Sequence, residues 1–201
     1  MDRRYFIKAL TASGVLGASP LAAQAASELF TPGTAQPVLL ISQSGLPQAA
    51  ELAVRLQQLL AAAGIKHQQT AASGPELAQF SHVCALLDSV PGSRVIGVMD
   101  DAAAVIFQEL AAARGAACVV STHHRFVDGQ VRHCCTAAGL DASIAWSDAL
   151  PSHAQRISRL YAGMLGGPAS ASGDGAAVAP VGLAASLVAT PASLVSFLIK
   201  T

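Results

Sequence analysis

Between residues 123 and 135 the chain gathers three histidines and two cysteines. His123 and His124 come first; after eight intervening residues come His133, Cys134 and Cys135. Imidazole nitrogen and thiolate sulfur are donors that suit Zn²⁺ and copper. The same groups can pair as a nucleophile and its base. Midway between them stands Asp128-Gly129, a dipeptide suited to a two-residue type I′ turn, where both central residues take positive φ. Counting outward from that turn sets a register: Val127 faces Gln130, Phe126 faces Val131, Arg125 faces Arg132, His124 faces His133, and His123 faces Cys134. Directly opposed residues share a face of a sheet. One face then carries His124 and His133 beside Phe126 and Val131. The other carries His123 and Cys134 beside two arginines. Two opposed donors fall short of a metal site, and no Cys-x-x-Cys or His-Glu-x-x-His spacing supplies the others. The plain alternative is a set of solvent-facing histidines and half-buried thiols. Arg125 opposite Arg132 is repulsive unless an acidic group or an anionic ligand lies between them.

A second set of candidates follows two apolar runs. Asp100 and Asp101 come directly after Val95-Ile96-Gly97-Val98-Met99, a buried strand by composition. A carboxylate there can orient a histidine, add a metal ligand or act as a base, and Asp100 is the expected one. Asp101 is the expected N-cap of the helix that follows. Ser44 and Gly45 follow Val38-Leu39-Leu40-Ile41. The loop Ser42-Gln43-Ser44-Gly45-Leu46-Pro47 partly resembles the phosphate loop of flavodoxins. It departs from that loop where Pro47 replaces the last hydroxyl residue and removes an N–H donor. Turn and cap roles suit Ser44 and Gly45, with an anion at the helix N-terminus as the functional alternative. No Gly-x-Ser-x-Gly elbow, phosphate-binding P-loop or Gly-x-Gly-x-x-Gly fingerprint occurs. A Ser–His–Asp set would have to be assembled from Ser44, His123 or His124, and Asp100.

The elements that must position these groups alternate. Strands are expected at 38–42, 66–71, 94–99 and 117–121, and helices at 49–63, from 73 to about 90, and at 102–114. Such spacing argues for a parallel sheet with helices on its faces. The expected fold is therefore α/β: a mostly parallel open sheet, Rossmann-like or flavodoxin-like in three layers, with a C-terminal β-hairpin extension. In such a sheet ligands bind beyond the carboxyl ends of the strands, which would collect Ser44, Gly45, Asp100, Asp101, His123 and His124 along one edge. A late amphipathic helix is expected at 152–165, with Trp146 and Tyr161 anchoring it to the sheet.

The first 25 residues read as a separate unit. Asp2-Arg3-Arg4-Tyr5-Phe6-Ile7-Lys8 resembles the twin-arginine export signal, with Ile7 in the leucine position and Asp2 where Ser or Thr is usual. A soft apolar stretch from Ala9 to Ala22 and the small-x-small site Ala23-Gln24-Ala25 complete it. The resemblance implies cleavage after Ala25 and a domain that folds before export to the periplasm. Removing this segment takes Arg3, Arg4, Lys8 and Asp2, and leaves 176 residues with nine basic and eleven acidic groups. That length suits one domain. Nothing in its charge points to nucleic acid.

The expected organisation is a leader at 26–37, an α/β domain at 38–165, a low-complexity linker at 166–180 and an apolar tail at 181–201. Residues 181–199 approach the length of a membrane span, but Pro191 and the many small residues favour a returning strand over 194–199. The four cysteines, Cys84, Cys118, Cys134 and Cys135, permit three disulfide pairings; Cys84 and Cys118 read as buried thiols. The functional expectation is an exported binding or accessory protein, metal- or redox-related, working beside another Tat-exported or redox protein. Zn or Cu is the candidate cofactor, on His123, His124, His133, Cys134 and Cys135. The alternatives are a small hydrolase or metal-assisted enzyme at the sheet edge, and a membrane-tethered structural partner.

Overall fold

The computed structural model describes residues 36–138, 143–165 and 193–201. The export signal, most of the leader, the low-complexity stretch and the first part of the apolar tail lie outside the described residues. Seven strands form one sheet: β1 (Val38–Gln43), β2 (His67–Ala72), β3 (Arg94–Met99), β4 (Ala117–Val127), β5 (Gln130–Ala137), β6 (Ile144–Ala149) and β7 (Ser193–Lys200). The helices are α1 (Pro47–Ala62), α2 (Gly74–Leu77), α3 (Phe80–Asp88), α4 (Asp101–Ala112) and α5 (Leu150–Met164). The single helix expected after residue 73 is thus two. Ser73 starts the first with a reciprocal capping box to Glu76.

The strand order is β2-β1-β3-β7-β4-β5-β6. Only β1 pairs in parallel, with β2 and β3; the other four pairings are antiparallel. The expected mostly parallel Rossmann-like or flavodoxin-like sheet is therefore incorrect. The alternation of strands and helices does give parallel pairs for the first three strands. The fourth apolar strand then fails to dock beside the third, because β7 enters from the far end of the chain and lies between them, antiparallel to both. β7 belongs there by composition: six consecutive residues from Leu194 to Ile199 are buried, as a central strand covered on both faces requires.

Gly97 makes room for it. A methyl group at Gly97 would lie 2.1 Å from the ring of Phe197, its partner across the β3–β7 ladder. Phe197 in turn packs on Phe107 of α4, ring centroids 5.6 Å apart.

Helices cover the two faces unequally. α1 and α5 cover one face, where Leu52, Leu56, Leu60, Ile157 and Tyr161 pack on Leu40, Ile96, Val120 and Leu198. α2, α3 and α4 cover the other, where Leu77, Val83, Leu87 and Phe107 pack on Leu39, Ile41, Val95 and Phe197. On that second face the apolar cover stops near β4. The side chains of β4 and β5 beyond it alternate buried and exposed, and the exposed ones point away from α5.

Candidate functional site

The β4–β5 hairpin has the register counted from Asp128-Gly129 at every position from Val127↔Gln130 to His123↔Cys134. Both turn residues take positive φ, 49° and 75°, as a type I′ turn demands. The strands are longer than expected, however. β4 continues to Val127, so His123 and His124 lie inside a strand and not in a loop beyond its carboxyl end. The same fact moves the candidate site from the sheet edge to the sheet faces.

On the outer face, Asp101, His123, Arg125, Cys134 and Ser193 line a cleft of about 370 Å³. β7 explains how these groups meet. Val195 pairs with Met99 on one side and His123 on the other, so the start of α4 falls beside the start of β7 and the middle of β4. The His123 Nδ1 lies 3.5 Å from Asp101 Oδ1. The other Asp101 oxygen accepts a short hydrogen bond from the Ser193 hydroxyl. Cys134 is exposed and stands directly opposite His123. Two pairs further along the ladder, on the same face, Arg125 opposes Arg132, and both are exposed. Among the described residues, neither guanidinium has a carboxylate at ion-pair distance.

The inner face holds a buried chain of polar groups that sequence reasoning found only in part. His124 Nδ1 meets His133 Nδ1 at 2.7 Å. His124 Nε2 meets Ser196 Oγ at 2.7 Å, and Tyr161 OH meets the same Ser196 oxygen at 2.9 Å. His133 Nε2 lies 3.4 Å from Asp148 Oδ2, an electrostatic contact looser than a full hydrogen bond. Asp148 also accepts from Trp146 Nε1 at 3.0 Å and from the Arg156 guanidinium. The Trp146 ring stacks on His133, centroids 4.9 Å apart.

One proton arrangement satisfies the whole chain. Tyr161 donates to Ser196, Ser196 to His124 Nε2, His124 Nδ1–H to His133 Nδ1, and His133 Nε2–H points at Asp148. Each imidazole then carries one proton and is neutral. Burial favours that state. It pushes the His133 pKa down to about 4, against the pull of Asp148, and holds His124 well below the usual histidine range, with His133 adding to the effect. Burial likewise raises the Tyr161 hydroxyl and the Cys135 thiol.

The remaining candidates fall as follows. Asp100, not Asp101, is the N-cap of α4, accepting from the Ala103 N–H at 2.8 Å. Its other oxygen accepts from Gln43 Nε2 at 2.7 Å, and its own N–H donates to Gln43 Oε1 at 2.9 Å. Asp100 is thereby committed to joining β1 to α4, and of these two neighbouring aspartates it is Asp101 that faces a histidine. Ser44 and Gly45 form the exposed turn before α1, whose N-cap is Leu46. No Ser44–His–Asp100 set forms, because His123 faces Asp101 and both ring nitrogens of His124 are bonded to His133 and Ser196. His153 is buried, with its ring edge-on to Phe126. All four cysteines are free thiols. The metal candidates are divided between faces: His124, His133 and Cys135 inside, His123 and Cys134 outside. Among the described residues no group of three or more His, Cys, Asp or Glu side chains is arranged to hold a metal ion.

Asp148, Ser196 and Tyr161 were missed as partners of the histidines. The strand Ile144–Ala149 has weak β-forming composition, and Ser196 lies 72 residues from His124. Comparison with protein-family models, with curated proteins and with solved structures finds no match.

Proposed function

We propose that the protein is an exported α/β binding protein that takes a small anionic ligand on the open face of β4 and β5. One observation carries this reading: Arg125 and Arg132 are directly opposed, exposed and, among the described residues, without a carboxylate partner, beside a cleft of about 370 Å³. Like charges directly opposed in a ladder repel, and an anion between them removes that cost. Arginine forks suit carboxylate and phosphate groups in particular. Among the described residues lining the cleft the one carboxylate, Asp101, is engaged by His123 and Ser193. The basic face also runs against the overall charge, since the chain beyond residue 25 has an excess of two acidic groups.

The inner histidines do not compete for this role. Ser196, His124 and His133 are at most 2% exposed, so a substrate has no path to them. Residues 193–200 form a central strand of the sheet. Among the described residues, no helix is long and apolar enough to cross a membrane.

The export half of the proposal is tested by changing Arg3 and Arg4 together to lysine and fractionating cells. Retention of the full-length chain in the cytoplasm is expected, and undiminished periplasmic protein would contradict it. The binding half is tested with inorganic phosphate against the wild type and an Arg125→Ala/Arg132→Ala variant. Saturable binding that the double substitution abolishes is expected.

A further inference from the structure

We propose that Cys134 is a nucleophilic thiol that exchanges with small disulfides bearing carboxylate groups, with His123 as its base and Asp101 positioning His123. The four thiols are not equivalent. Cys135 is buried, and burial raises its pKa. Cys118 lies partly buried with its Sγ against the Val120 carbonyl at 3.4 Å, and burial pushes it up to about 11. Cys84 is partly buried on α3. Cys134 alone of the four is exposed.

Cys134 also has the neighbours a reactive thiol needs. Directly opposed residues in an antiparallel pair have Cβ atoms about 5 Å apart, which places an imidazole within reach of a thiol. The His123 Nδ1 faces Asp101 Oδ1 at 3.5 Å. A proton held on Nδ1 by that carboxylate leaves the Nε2 lone pair free to accept the thiol proton. The Asp101 carboxylate is itself fixed by Ser193. A nucleophile, its base and a third group orienting the base thus share one cleft.

The exchange balances as follows. His123 Nε2 takes the Cys134 proton, and the thiolate attacks one sulfur of the incoming disulfide. The new bond joins Cys134 to that sulfur, and the reagent's own S–S bond breaks. The departing thiolate takes the proton back from the imidazolium. An exported protein meets disulfides in an oxidising compartment, so the co-reactant is of a class found there. The preference for carboxylate-bearing disulfides rests on the anion-binding reading of Arg125 and Arg132; the nucleophile itself does not.

The test uses the exported protein with two reagents, the anionic glutathione disulfide and the neutral hydroxyethyl disulfide, followed by intact mass and peptide mapping. A single adduct on Cys134 is expected, absent in Cys134→Ser. His123→Ala should slow both reagents about tenfold or more at neutral pH. Asp101→Asn should slow both and shift the pH profile of the rate, which a purely structural change would leave in place. Arg125→Ala/Arg132→Ala should slow only the anionic reagent. A Cys134 no faster than the same cysteine in an unstructured peptide, or an adduct first on Cys84, would overturn the nucleophile. Equal rates for the two reagents would overturn the charge preference. Slow exchange alongside saturable phosphate binding would remove the thiol chemistry and leave the binding reading standing.

Discussion

His124 and His133 meet Nδ1 to Nδ1 at 2.7 Å, buried beneath α5, a contact that needs one proton between the two nitrogens. A further proton on either ring would put an imidazolium inside the sheet and set two N–H donors against each other or against Ser196. The groups facing the pair are Asp148 and Arg156 at one end, with His153 and His123 nearby. In the unfolded chain both imidazoles titrate near 6.5. In the folded chain His133 titrates near 4 and His124 is also depressed. The unfolded state therefore binds more protons below pH 6.5, and stability is full above that pH and falls as pH drops towards 4. The expected loss over this window from His133 alone is about 3 kcal/mol. Urea unfolding at pH 7.5 and at pH 4.5 measures it; equal midpoints would contradict that proton arrangement.

The chain ends at Tyr161, and its links can be removed singly. Tyr161→Phe deletes one donor and leaves Ser196 free to serve His124, so a cost of about 1 kcal/mol is expected. Asp148→Ala removes the acceptor of Trp146 and Arg156 and the carboxylate that His133 Nε2–H faces. It should cost about 2 kcal/mol, because the buried His133 N–H is left facing no acceptor, while the exposed Arg156 can turn to solvent. Denaturant unfolding of the two variants should rank them in that order. The reverse order would mean that the carboxylate end contributes little.

Gly97→Ala should destabilise the sheet by about 1–3 kcal/mol, as overpacking does. Its methyl group would sit 2.1 Å from the Phe197 ring, which is held between the sheet and Phe107. Gly97→Ala combined with Phe197→Leu should cost less than the sum of the two single changes, since the clash is removed. Additive losses in thermal unfolding would show that the two residues do not meet.

Asp100→Ala removes the helix cap and one half of the reciprocal pairing with Gln43. A loss of about 1–2 kcal/mol is expected, while Asp101→Ala should change stability less. Equal losses at the two positions in chemical unfolding would return the cap to Asp101.

The hairpin register was legible from Asp128-Gly129 alone, because the side-chain period of a strand is two and the turn fixes the count. The division of His123 and Cys134 from His124 and His133 followed from it. The sheet order was not legible. Periodicity describes each strand's own burial and carries no information about its neighbour, so nothing local placed β7 between β3 and β4. Gly97 was the one available signal, a gap in an otherwise bulky strand, and its meaning depends on Phe197 one hundred residues away. The cap at Asp100 and the facing carboxylate at Asp101 were exchanged because helix starts shift easily by one residue. The His124–Ser196–Tyr161 contacts depend wholly on the position of β7, and so could not precede it.

The central claim is that the opposed Arg125 and Arg132 take an anion on the open face. It is tested most directly by following backbone amide resonances while inorganic phosphate is titrated at constant ionic strength. Saturable shifts are expected at His123, Arg125, Arg132 and Cys134, and these should vanish in Arg125→Ala/Arg132→Ala. Shifts that fail to saturate, or that spread evenly over the surface and persist in the double variant, would contradict the account.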